Sequence, residues 1–332
     1  MSRLDRRGFV AAAGAGLAML TAPIRAESAD AHAMRLAPDR EAMVPVPGGR
    51  AYVRVNGNLA GPQPPIVLLH GGPGSAHWYF MAATALAHDR AVILYDQLDS
   101  GRSDTPDDPA NWHVARFVDE LEAIRRFLDV PRWHVLGASW GGTVALEYGA
   151  RRPRELASLI LQSPLVSTAL WLRDANILKA AMPEKTRALL DRCDGMNPPP
   201  AADCDAATAA FYARHVRLRE PSPALAAYRS GLPRSFTPSI YHAMWGRAEF
   251  VSTGTLRDYD GRALLPRLDG ARTLFVAGSQ DEARPETVAA FARAVPEARF
   301  VKIPDAAHTI MIDNPAAYLP LLRQWCAKKD AA

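Results

Sequence analysis

Three absences narrow the field before any motif is read. Cysteine is scarce, with only Cys193, Cys204 and Cys326 in 332 residues, so no dense disulfide framework organises the fold. No His, Cys, Asp or Glu spacing of the kind that holds a metal is present, and no glycine-rich dinucleotide fingerprint appears, so the chemistry is read without metal or cofactor. Internal repeats and low-complexity tracts are also missing. What remains, 48% hydrophobic and 22% charged residues, describes a chain able to bury one large core.

A long apolar run occurs only near the start. Arg6-Arg7-Gly8-Phe9-Val10 precedes the small-residue stretch Ala11 to Ala22 and then Ile24-Arg25-Ala26. This resembles a twin-arginine export signal cleaved after Ala26, and the uncharged stretch is too short for a comfortable membrane span. The expectation is a periplasmic protein that leaves the membrane once the signal, residues 1–26, is removed. Those residues hold four arginines against one aspartate, so the +4 of the whole chain falls to about +1 beyond them. That near-neutral balance excludes a case for nucleic acid or anionic membrane partners. In an oxidising compartment Cys193 and Cys204 either bridge, closing a short loop with roughly 3 kcal/mol of chain-entropy stabilisation, or stay as two thiols; the sequence leaves both open. Cys326 reads as a buried apolar residue.

What is there centres on Gly137-Ala138-Ser139-Trp140-Gly141-Gly142. A strand-like approach, Trp133 to Leu136, leads in, and a helical run, Thr143 to Ala150, leads out. Strand, sharp turn and helix form the context in which G-x-S-x-G presents a nucleophilic serine. The flanking glycines give the strained turn room.

The rest of the chain alternates strand and helix around that turn. Glu41 to Val46 and Arg50 to Asn56 read as a hairpin. Ile66 to Leu69 is an unbroken apolar run, typical of a strand buried on both faces, and it ends in His70-Gly71-Gly72-Pro73-Gly74. Strands follow at Ala91 to Tyr95 and Leu156 to Leu161, with a helix over Trp112 to Leu128. From Leu165 to Arg257 the rhythm stops, and helix-like pieces are broken by prolines at 183, 198–200, 221, 223, 233 and 238. It resumes with Thr273 to Ala277, Arg299 to Ile303 and a last helix, Ala316 to Ala327. The pattern implies an α/β class chain of α/β-hydrolase fold: a mostly parallel sheet with a helical cap inserted after the sixth strand. Its core is expected at 27–164 and 258–332, its cap at 165–257.

A serine nucleophile needs a base and a carboxylate to orient it, and in this fold they follow in the order Ser, acid, His, each after a late strand. Asp281 follows Thr273 to Ala277, and His308 follows Arg299 to Ile303. Glu282 and Asp305 compete with Asp281 and read otherwise as surface loop carboxylates. His32, His113, His134, His215 and His242 fall in the leader, at a helix start, inside a strand or in the cap. The oxyanion hole is expected from the N–H of Trp140 and of Gly72, the latter preferred over Gly71. His70 reads as a structural residue that holds this loop by a side-chain hydrogen bond.

Three separated motifs are then in hand: HGGPG at 70–74, DQLDSGRSD at 96–104 and GASWGG at 137–142. Together they resemble the proline iminopeptidase family of α/β-hydrolases. The likeness continues through Met244 to Phe250 and Thr253 to Asp260, and covers roughly Val44 to Trp325. Asp99 departs from the family's usual glycine, which either alters substrate preference or marks a turn tolerant of left-handed geometry. The resemblance implies removal of an N-terminal residue, often proline, from small peptides or amides. Such a site must hold a protonated amine, which calls for carboxylates on the lid; Glu249 matches the family's cap glutamate, and Glu220 is the candidate for the second. Trp245 and Trp78, with Phe80, Trp140 and Phe250, are candidate walls for a pyrrolidine ring. The rival readings are an amino-acid amidase or small esterase on the same triad, and a ligand-binding relative that has lost its chemistry. Oligomeric state is not legible.

Overall fold

The computed structural model describes residues 34–193 and 198–331; the expected export signal lies outside them. Eight strands form one sheet: β1 (Arg40–Val46), β2 (Gly49–Asn56), β3 (Ile66–Leu69), β4 (Val92–Tyr95), β5 (Trp133–Ala138), β6 (Leu156–Gln162), β7 (Thr273–Gly278) and β8 (Arg299–Ile303). They lie in the order β1-β2-β4-β3-β5-β6-β7-β8. The β1/β2 hairpin and the β2/β4 pair are antiparallel, and every later pairing is parallel. Pro47 and Gly48 turn the hairpin, where Gly48 takes a φ of +88° that costs a side-chain-free residue little.

The central strands read as apolar runs because both faces are covered. Successive side chains point to opposite sides, so Val67, Leu69, Ile93 and Val135 pack under α1 (Val114–Phe127) and α2 (Trp140–Ala150). Ile66, Leu68, Val92 and Leu136 face the other way, onto a 3₁₀ segment at His77–His88 and the last helix, Pro315–Lys329. The 3₁₀ segment and the helix at Pro285–Arg293 were not anticipated from the sequence.

Between β6 and β7 the described residues form five α-helices: α3 (Thr168–Ala180), α4 (Glu184–Cys193), α5 (Ala201–His215), α6 (Pro223–Ser230) and α7 (Pro238–Met244). They enclose a small core of their own, Ala175, Met182, Leu190, Ala207, Phe211, Ala248 and Phe250. Of the two options left open for Cys193 and Cys204, the structure has the bridge, joining the end of α4 to the start of α5. Thereafter come α8 (Pro285–Arg293), α9 (Ile310–Asp313) and α10 (Pro315–Lys329). No helix among the described residues is long and apolar enough to cross a membrane. The loops after β3, β5, β6, β7 and β8 gather at the carboxyl ends of the parallel strands, where open α/β sheets place ligands.

Candidate active site

The turn from β5 into α2 holds Ser139 at φ +56°, a conformation that costs a side-chain-bearing residue energy and persists where the surroundings enforce it. The surroundings do so by contact. A Cβ on Gly137 would come within 2.1 Å of the Gly141 carbonyl, and one on Gly141 within 2.2 Å of the Leu69 carbonyl. Ser139 N–H donates to the Gln162 carbonyl at 3.0 Å, and its own carbonyl accepts from Gly142. The hydroxyl therefore stands at the N-terminus of α2, where the helix dipole favours developing negative charge.

The loop after β3 lies against it. A Cβ on Gly71 would meet Ser139 Cβ at 2.9 Å. Gly71 N–H is taken by the Tyr79 hydroxyl, which leaves Gly72 rather than Gly71 to offer an N–H to substrate. His70 is fully buried; its Nδ1 donates to the Gly71 carbonyl at 2.9 Å and its Nε2 accepts from Gln97 N–H at 3.0 Å. Burial pushes its imidazole down to about 4, so it is a neutral brace. The Gln97 side chain completes that brace, donating to the His70 carbonyl at 2.8 Å and accepting from the Trp140 indole at 2.8 Å. Nearby, Asp99 adopts φ +63°, accepts from Trp112 Nε1 and from Asp107 N–H, both at 2.8 Å, and so acts as a turn residue.

The loops after β7 and β8 bring Asp281 and His308 together, with His308 Nδ1 to Asp281 Oδ1 at 2.8 Å. Asp281 is buried and accepts three further hydrogen bonds, from Ala283 N–H, Gly278 N–H and the Ser163 hydroxyl. Burial alone lowers a histidine, yet the charge and hydrogen bond of Asp281, with Glu249 and Asp313 nearby, raise His308 above its ordinary value. The end of β6 ties these parts to the serine. Gln162 accepts from Ser139 N–H and donates from Nε2 to the His308 carbonyl at 3.3 Å, while its neighbour Ser163 holds Asp281. Ser139 and His308 are not hydrogen bonded to each other in this structure; such contacts often tighten only around substrate.

Glu249 reaches the same place from the cap. Its Oε1 accepts from the Tyr241 hydroxyl at 2.8 Å, and burial raises it above the usual carboxylate range although His308 and Tyr241 oppose the shift. Glu220, the expected second carboxylate, does not join it. After α5 ends at His215, the Leu218 and Arg219 N–H groups are held by the Asp313 carboxylate, and Glu220 beyond them points outward, 87% exposed and paired with Arg217 at 3.2 Å. The carboxylate found beside His308 is instead Glu282, which as a residue of the sequence reads as a surface loop carboxylate. Glu282 is buried, neither of its oxygens has a hydrogen-bond partner, and Oε1 lies 3.8 Å from His308 Nε2. Burial first, then the charges of Glu249 and Asp281, raise it well above the ordinary range. No local signal in Asp281-Glu282 distinguishes the two, because the cap supplies the burial: the His215 carbonyl accepts from both Glu282 N–H and His308 N–H, at 3.0 and 3.2 Å.

Of the candidate aromatic walls, Trp245 is buried, donates to the Ala248 carbonyl at 2.9 Å and packs on Trp171. Trp78 donates to the Ser235 carbonyl at 3.2 Å and lies under Arg229, at the seam of core and cap. Phe80 belongs to the core.

The arrangement suits acyl transfer, with an unpartnered carboxylate, Glu282, and a tyrosine-held one, Glu249, beside the base. Comparison with known proteins gives the family. Residues 64–315 match the α/β-hydrolase fold family. The chain is 36% identical to a proline iminopeptidase of Levilactobacillus brevis over 88% of its own length and 97% of the relative's. It superposes on the crystal structure of a proline iminopeptidase from Mycobacterium smegmatis with a TM-score of 0.76 and 35% identity, covering 88% of this chain and 99% of that one. With the structure of VinJ the TM-score is 0.80 at 31% identity, over 88% and 99%. The chain belongs to the proline iminopeptidase family of α/β-hydrolases.

Proposed function

We propose that the protein is a serine aminopeptidase that releases an N-terminal residue, proline preferred, from small peptides or amino-acid amides through an acyl-enzyme. The observation that carries this reading is the pair of carboxylates beside His308, half-buried Glu249 and buried Glu282, the latter with no hydrogen-bond partner among the described residues. Buried carboxylates without partners are costly, and a substrate ammonium offsets that cost. An N-terminal proline offers two N–H groups on its ring nitrogen, one for each carboxylate.

In this reading Ser139 attacks the carbonyl next to the anchored amine, and His308 takes the hydroxyl proton at Nε2 while Asp281 fixes the ring through Nδ1. The N–H groups of Gly72 and Trp140 receive the oxyanion, each donor worth about 10²–10³ in rate. His308 returns the proton to the departing amine, and water then releases the residue by the same steps in reverse order of groups. Trp245 and Trp78 support the walls of the pocket. The twin-arginine leader supports export to the periplasm, and the Cys193–Cys204 bridge fits an oxidising compartment.

The test compares kcat/KM on proline p-nitroanilide, N-acetyl-proline p-nitroanilide and p-nitrophenyl butyrate, with Ser139→Ala as blank. A strong preference for the free amine, reduced in Glu249→Ala and Glu282→Ala, is expected. Equal turnover of the acetylated substrate would remove the aminopeptidase reading, and turnover of the butyrate alone would make the protein an esterase. Fractionation of cells expressing the full chain tests export: retention in the cytoplasm would end that part.

A further inference from the structure

One cap side chain touches both the base and the amine anchor, and no step above uses it. Trp171, on α3, is 6% exposed. Its Nε1 donates to the main-chain carbonyl of Glu249 at 2.9 Å, and its ring stands T-shaped to the His308 imidazole, centroids 5.6 Å apart and planes at 87°. Trp245 closes its other side at 6.0 Å.

Glu249 needs such support because it lies outside any helix or strand. It sits after α7 in a short turn closed by an isolated bridge of Ala248 with Val251. Three helices of the cap hold it: Tyr241 of α7 at the carboxylate, Tyr212 of α5 at the main-chain N–H, and Trp171 of α3 at the main-chain carbonyl. Trp171 is itself pinned. Thr168, one turn earlier, donates through its hydroxyl to the Leu256 carbonyl at 2.7 Å and through its N–H to the Tyr259 carbonyl at 3.0 Å, and Ser167 bridges to Asp260. Of the three supports, Trp171 is the one whose ring packs on His308.

We propose that Trp171 is a positioning residue that fixes the spacing between the amine anchor and the base, and so confines cleavage to the bond next to the substrate's N-terminal residue. This rests on the amine-reading function proposed above. The indole N–H sets where Glu249 stands, and the ring sets the face His308 presents; a rotation of either moves the bound amine relative to the attacked carbonyl.

Trp171→Phe keeps an aromatic ring against His308 and removes the N–H, while Trp171→Ala removes both. For Trp171→Phe the ratio of kcat/KM on proline p-nitroanilide to that on p-nitrophenyl butyrate is expected to fall about tenfold, mostly through KM, the worth of one hydrogen bond to a buried group. Trp171→Ala is expected to lose kcat on both substrates and to shift the acid limb of the butyrate profile, which reports His308. Labelling of Ser139 by a fluorophosphonate and a thermal melt establish that each variant is folded. An unchanged ratio in a folded Trp171→Phe, or equal losses on both substrates, would overturn the proposal while leaving the amine reading intact. A wild-type enzyme with no preference for the free amine would overturn both.

Discussion

Glu282 faces Nε2 of His308 at 3.8 Å while the residue before it, Asp281, bonds Nδ1 of the same ring at 2.8 Å. Two consecutive carboxylates thus occupy opposite sides of one imidazole, in different electrical situations. Asp281 is satisfied by four donors, including the Ser163 hydroxyl. Glu282 has none. In the mechanism proposed above the first arrangement orients a base, and the second places an unpartnered carboxylate beside the nitrogen that handles the proton.

A buried carboxylate without hydrogen-bond partners costs stability. Because burial raises Glu282 above the ordinary range in the folded chain, the carboxyl's stabilising contribution is complete below the unfolded value and is lost as pH rises through the folded one. At neutral pH Glu282→Gln is therefore expected to stabilise the protein by about 1–3 kcal/mol, a gain in Tm of about 2–4 °C per kcal/mol. The same change is expected to raise KM for proline p-nitroanilide at least tenfold. A variant that melts lower than wild type would show that Glu282 is held by partners rather than strained.

The pH profile separates the base from the anchor. His308 must be neutral to take a proton, and its value is raised, burial opposing but Asp281, Glu249 and Asp313 prevailing. Turnover of p-nitrophenyl butyrate is expected to rise with pH along a single limb lying above the usual histidine range of about 6.5. The amine substrate meets a second requirement, since Glu249 and Glu282, both raised by burial, must also ionise to hold it. Its kcat/KM is expected to fall more steeply on the acid side and to decline again at high pH as the substrate amine loses its charge. Superimposable profiles for the two substrates would contradict the anchor.

The features legible in the sequence are those whose chemistry is local. HGGPG needs glycine at 71 because Ser139 stands against it, and the turn at Ser139 needs glycines at 137 and 141 because backbone carbonyls lie there; each constraint writes itself into a short motif. The strands were legible because burial on both faces leaves runs such as Ile66 to Leu69 with no polar residue. Glu282 was not, since the cap exit at His215 lies over it and the charge of Glu249 acts on it, 33 or more positions away in the chain. Glu220 misled for the complementary reason: nothing in Arg217-Leu218-Arg219-Glu220 announces that Asp313 captures the preceding amides and turns Glu220 to solvent. Ser163 and Trp171 carry no motif, and only the fold brings them to Asp281 and His308.

Ser163 sits at φ +46° with its hydroxyl on Asp281, a strained backbone at a buried charge. Ser163→Ala keeps the backbone problem and removes the donor. A hydrogen bond to a charged group is worth about 1.5–3 kcal/mol, so kcat is expected to drop about 10- to 100-fold with KM little changed. Ser163→Gly loses the same hydroxyl but relieves the backbone, and should match the alanine variant in kcat while melting higher. If either variant kept wild-type kcat, the hydroxyl would have no part in orienting Asp281.

The loop after β3 offers the sharpest test of the oxyanion site. Gly72 and Gly74 have φ of +109° and +90°, so substitutions there mix strain with chemistry. Gly71 lacks that complication, and its obstacle is steric: an added Cβ meets Ser139 Cβ at 2.9 Å and the Ala138 carbonyl at 3.2 Å. Neither can retreat, because β5 and α2 are packed around Trp133 and Trp140, both fully buried. The loop must move instead, taking the Gly72 N–H with it and loosening the Tyr79 hydroxyl from Gly71. Gly71→Ala is expected to lower kcat about 10²–10³-fold, the usual worth of one oxyanion donor. Anilide and butyrate should suffer alike, since both pass through the same tetrahedral oxyanion, and the rate of fluorophosphonate labelling should fall in parallel. The free-amine preference should persist, because Glu249 is held by Tyr241 and Tyr212, and Glu282 by its N–H on the His215 carbonyl, none of them in this loop. A folded Gly71→Ala with kcat within threefold of wild type would place the second oxyanion donor elsewhere.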